Sequence, residues 1–124
     1  MRKILVLNLF IFSVLVLNAQ SDTVKIKRNN AILLNKKGLE FYNQKDYKNA
    51  IDFFTKAIIA DSSFGEPFYN RAKSIINLNP KEFIDFDKCN EFHKAIKLGK
   101  KISEEELFFY GCTLNEDIKH KKKK

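Results

Sequence analysis

The chain predicts an all-α fold: an α-solenoid of about two helix–turn–helix units closed by a C-terminal capping helix. Three observations carry this. Leu34, Gly38 and Phe41 return 34 residues later as Phe68, Ala72 and Ile75, the spacing of a repeat built from two antiparallel helices. Apolar residues recur at intervals of three and four, which places them on one helix face. Small residues are interleaved with aromatic ones, as where two helices cross closely. Such a unit cannot bury its apolar face alone, so it stacks on a neighbour and leaves a concave face for another chain.

The N-terminus comes first. Met1, Arg2 and Lys3 make a basic start, and 4–17 is apolar apart from Asn8 and Ser13. Asn18-Ala19-Gln20 then supplies a small residue for cleavage. This pattern predicts a signal peptide over 1–19, cut after Ala19, and a protein exported to the periplasm or secreted. The alternative is an uncleaved anchor in the inner membrane, although the apolar run is short of the ~20 residues of a full span. Cleavage leaves no stable membrane span.

Residues 20–30 are polar apart from Val24 and Ile26 and are expected to form a flexible lead-in. A helical domain is expected over 31–115. Its first helix begins near Ala31 and carries Leu34, Gly38, Phe41 and Tyr42 on one face. Asn43-Gln44-Lys45 breaks it, and Asp46 caps a second helix bearing Tyr47, Ala50, Ile51, Phe54, Ala57 and Ile58. Asp61-Ser62-Ser63 is the next turn. Ser63 and Glu66 fit a capping box for the third helix, with Pro67 tolerated in its first turn. Asn79, Pro80 and Glu82 give a strong start to the fourth, which runs to Leu98 and ends at Gly99. Phe54, Ala57 and Ile58 match Phe92, Ala95 and Ile96 at a shift of 38, so this helix is expected to be one turn longer than its counterpart. Ser103 and Glu106 form another capping box for a last helix, whose interior Gly111 weakens.

The formal charge of +8 falls to +6 on cleavage, and Lys119 and Lys121 to Lys124 supply five of those charges. Residues 116–124 therefore read as a basic, disordered, solubilising tail. A contact with a polyanion is the sharper alternative, and export argues against nucleic acid. Two cysteines, Cys89 and Cys112, make one disulfide possible in an exported chain. Two buried free thiols are the other reading.

The segment 31–98 resembles a tetratricopeptide repeat (TPR) protein. Gly38, Tyr47, Ala50, Phe54 and Ala57 stand at that family's small and aromatic positions, and Phe68-Tyr69-Asn70-Arg71-Ala72 resembles the opening of a second repeat. The stretch from Cys89 to Gly99 resembles the closing helix of small exported bacterial members, where a second Cys follows a Tyr; here Gly111 separates Tyr110 from Cys112. The resemblance implies packing by Gly38, Ala50, Phe54, Ala57, Ala72, Phe92 and Ala95. It implies a groove lined by Asn35, Leu39, Tyr42 and Asn43 on the first helix and by Tyr69, Asn70 and Lys73 on the third. Some family members clamp a peptide's terminal carboxylate. Asn35 and Leu39 stand at two of the clamp positions and a third unit is missing, so that mode is rejected.

No catalytic site can be assembled. His93 and His120 are the only histidines. Cys89 and His93 lie four apart, a weak metal match, and Asp85, Asp87 and Glu91 read as a solvated face. No phosphate loop or nucleophile triad is present. The expectation is a non-enzymatic, cofactor-free interaction module that binds a partner protein or peptide. The alternative is an assembly subunit that buries surplus Phe in a homodimer or envelope complex.

Overall fold

The computed structural model describes residues 2–78 and 88–114, with the backbone alone at 2–5, 17–19 and 88. Five α-helices follow one another, with no strand among the described residues: α1 (Arg2–Asn43), α2 (Tyr47–Ala60), α3 (Glu66–Leu78), α4 (Lys88–Lys97) and α5 (Glu104–Phe109).

α1 has 42 residues, about 63 Å at the α-helical rise. The chain has no Gly before Gly38 and no Pro before Pro67, so neither residue interrupts the backbone ladder from the apolar N-terminus to the packed half of α1. Residues 20–30 are therefore helical and not a flexible lead-in, and the first helix does not begin at Ala31. Arg28 pins this extension. Its Nε stands 2.8 Å from Asp61 Oδ2, its Nη2 donates to Ser63 Oγ at 3.0 Å, and its guanidinium lies over the Phe64 ring. Among the described residues α1 is the one helix long and apolar enough to cross a membrane, by length and composition; an N-terminal signal sequence passes the same test.

α1 stops through a pair of bonds that close its last turn: Asp46 N–H to Phe41 O and Lys45 N–H to Tyr42 O, both 2.9 Å. This motif needs a left-handed residue after the helix, and Lys45 takes it with φ 61°. Asp46 caps α2 by accepting from Asn49 N–H at 3.2 Å. The three-residue link makes α1 and α2 an antiparallel hairpin. The helices approach most closely at Gly38, where a Cβ would stand 2.5 Å from Phe54 Cε1. Ala31, Ala50, Phe54 and Ala57 are fully buried along this seam, and Phe41 stacks on Phe53 beside it.

α3 does not use the Ser63–Glu66 capping box. Ser63 N–H and Oγ–H both donate to Asp61 Oδ1, at 2.9 and 2.6 Å, so Ser63 closes the turn and leaves the helix to start at Glu66. Those bonds, with Arg28 assisting, hold the Asp61 carboxyl below the usual carboxylate range. The start of α3 sits hard against the end of α4: a Cβ on Gly65 would meet Ala95 O at 2.8 Å and Leu98 Cβ at 3.0 Å. Arg71 ties three helices together. It donates to Thr55 Oγ1 of α2 at 3.2 Å, and to both carboxylate oxygens of Glu91 on α4 at 3.0 and 2.8 Å.

The expected start of the fourth helix at Asn79-Pro80-Glu82 and its additional turn lie outside the described residues, as do Asp85, Asp87 and the tail at 116–124. α4 ends at Lys97, and the turn after it closes through Gly99 (φ 96°), with Lys100 N–H bonded to Ala95 O at 2.9 Å. Ser103 caps α5 by accepting from Glu106 N–H at 3.1 Å. Gly111 is not interior to this helix. It sits past its end with φ 70°, and Cys112 N–H closes back on Leu107 O at 2.8 Å. That turn delivers Cys112 to Cys89, and the two are disulfide-bonded with Cα atoms 5.4 Å apart. Phe68, Ala72, Phe92, Ala95, Ile102, Leu107, Cys112 and Leu114 form the core beneath α5.

Candidate protein-binding groove

α1 and α3 lie side by side in parallel, and the register is written in their hydrogen bonds. Arg28 meets Ser63, Asn70 meets Asn35, and Asn77 meets Tyr42, each pair 35 residues apart. Lys100 then meets Glu66 across 34 residues. The bonds thus recur at a nearly constant offset, and the side chains between α1 and α3 form one strip.

Asn35 and Asn70 are not free to line it. Each is only 6% exposed, and Asn70 Nδ2 donates to Asn35 Oδ1 at 3.0 Å. Buried amides need a partner, and each serves as the other's. They set the register beneath the strip. Leu39 is half-buried and Asn43 exposed at the α1 terminus. Tyr42, Tyr69 and Lys73 are the expected lining residues that come together. The Lys73 ammonium lies over both rings, 5.6 Å from the Tyr42 centroid and 5.0 Å from that of Tyr69.

Four residues absent from the sequence-derived lining complete the strip. Asn77 Nδ2 donates to Tyr42 Oη at 2.9 Å. Lys100 also lies over Tyr69, 4.7 Å from its centroid, and donates to Glu66 at 2.8 Å. Glu106 of α5 accepts from the Tyr69 hydroxyl. Tyr110 stacks on Phe92 at 4.9 Å, and Phe92 packs in turn against Tyr69. Asn77 had a sequence signal, since it follows Asn43 by 34 residues. The α5 residues had none, because the cap is not a repeat.

Burial raises the pKa of all three strip tyrosines. For Tyr69 the hydrogen bond to Glu106 adds to burial, which comes first, and for Tyr110 the Glu106 charge adds. For Tyr42 burial and Tyr47 outweigh the opposing Asn77 bond. These hydroxyls stay protonated at neutral pH and serve as hydrogen-bonding and stacking groups.

Cys89 is spent in the disulfide, so it offers His93 no thiolate for a shared metal. His93 Nε2 donates instead to Thr113 O at 2.6 Å, a second tie between α4 and the segment after α5. Comparison with protein-family models, with curated proteins and with solved structures returns no match to this chain.

Proposed function

We propose that the chain is an exported, TPR-type interaction module that binds a partner protein or peptide along the strip between α1 and α3. The common 35-residue offset of the three hydrogen bonds that join α1 to α3 and to the turn just before it is the observation that supports this reading. It is the pattern expected of stacked helical repeats, whose parallel inner helices present a continuous concave face. A photo-crosslinking residue at exposed Asn43, beside the strip, is expected to capture a polypeptide in cells. The same residue at exposed Asp52 on α2 is expected to capture none. Capture from Asp52 alone would move the interface to the outer face. N-terminal sequencing of the exported form is expected to begin at Gln20; Met1 there would mean that α1 stays as an anchor.

A second reading has its own observation. Phe108 and Phe109 of α5 are 78% and 82% exposed, unusual for large apolar side chains side by side. An assembly subunit would bury them. Light scattering separates the two: a monomer that becomes no larger with concentration leaves the groove as the interface.

A further inference from the structure

The strip carries two lysines, Lys73 and Lys100, and two glutamates, Glu66 and Glu106, and its charges are not all paired with one another. Lys100 is paired with Glu66 at 2.8 Å. Glu106 is engaged by the Tyr69 hydroxyl. Lys73 forms no ion pair among the described residues; its ammonium rests on the faces of Tyr42 and Tyr69, and its side chain is half-buried. Ring faces attract a cation, but they do not replace the hydrogen bonds that water gives an ammonium.

Any chain laid along the strip would strip that water away. Covering an unpaired ammonium with apolar or neutral groups is costly. Covering it with a carboxylate replaces the lost hydration by a charge-assisted hydrogen bond. The Tyr42 and Tyr69 rings offer apolar surface beside the charge. Exposed Asn43 offers an amide to a peptide backbone. We infer that the strip selects an acidic peptide segment, seating an internal Asp or Glu side chain on Lys73 between Tyr42 and Tyr69 with an apolar neighbour against those rings. This rests on the groove reading above and narrows it to one chemistry of partner.

The test uses the protein purified in the form the cell makes. Its probes are fluorescein-labelled peptides of repeating Gly-Phe-Glu-Ser, blocked at both ends so that no terminal carboxylate is present. Matching peptides carry Gln or Lys in place of Glu. Fluorescence anisotropy is expected to show the Glu peptide binding about tenfold tighter than the Gln peptide, the size of one charge-assisted bond, and tighter still than the Lys peptide. Added salt should weaken only the Glu peptide's advantage. Lys73→Met should erase the difference while leaving the helical circular dichroism unchanged, and Lys73→Arg should keep it. Equal binding of the Glu and Gln peptides would overturn the inference and leave the groove standing. A preference that survives Lys73→Met would overturn it too. No binding of any peptide would overturn the inference and the groove reading together.

Discussion

Gly38 shows how a single hydrogen atom can set a helix crossing. A Cβ there would stand 2.5, 2.7 and 3.0 Å from three carbons of the Phe54 ring, and Phe54 is fully buried with nowhere to retreat. Gly38→Ala should therefore destabilise despite the higher helix propensity of Ala, by roughly 1–3 kcal/mol for overpacking, and Gly38→Leu by more. A thermal melt checks both; an unchanged midpoint for Gly38→Ala would mean that the hairpin can part without loss. Tyr69 gives a pH prediction. Its hydroxyl is held protonated above the ordinary tyrosine range by burial and by Glu106. A raised folded-state value contributes stability that is complete below the unfolded value of about 10 and is lost as pH rises beyond it. Urea midpoints should thus fall above that pH. Absorbance titration should show tyrosinate appearing late, and Glu106→Gln should bring part of it forward.

At the scale of the element, the short α5 poses the sharpest question, because a helix of six residues is far below the length that holds itself together in water. It is held from outside. Leu107 is buried beneath it, the Tyr69–Glu106 bond faces the groove, and the disulfide fastens the chain just past its end. The crosslink closes a loop of 23 residues, worth about 3 kcal/mol by the chain-entropy argument. Replacing both cysteines with Ser should lower the unfolding midpoint accordingly. Proteolysis should then cut first near α5, where the pinned segment would fray. Cleavage elsewhere would show that packing alone secures the cap. Caps are also the elements most readable from sequence. Asp46 and Ser103 act where their side chains were expected to. Ser63 did not, because Asp61 stands two residues before it and captures both its donors. A capping box is a local pattern, and a stronger local acceptor overrides it.

For the molecule as a whole, the all-helical architecture was legible because a 34-residue recurrence and a three-four spacing are statements about geometry. Burial of Gly38, Ala50, Phe54, Ala57, Ala72, Phe92 and Ala95 follows from the same pattern. The candidate groove was only half legible. Each helical residue turns the side chain by about 100°, so an error of one position separates a lining residue from a buried one. Asn35 and Asn70 fell on the wrong side of that line; Tyr42, Tyr69 and Lys73 did not. The Arg71–Glu91 and Arg28–Asp61 pairs were out of reach, because charges carry no period that names their partners. The basic end should matter little to the fold. Deleting His120 to Lys124 removes four of the positive charges and none of the described core. It is expected to leave the melting temperature and specific partner affinity nearly unchanged while weakening retention on a cation exchanger. A large loss of stability would assign the tail a structural role.

The ties between elements are also short in sequence. The side-chain hydrogen bonds that join one helix to another span between 16 and 37 residues. A chain that emerges N-terminus first can therefore complete each hairpin before the next has arrived, with little loop-closure delay. Cys112 comes near the very end of that sequence. Until it appears, Cys89 has no second cysteine in this sequence to join, so the disulfide is among the last ties between elements that the emerging chain can make, a clasp reached only when the helices it fastens are already in hand.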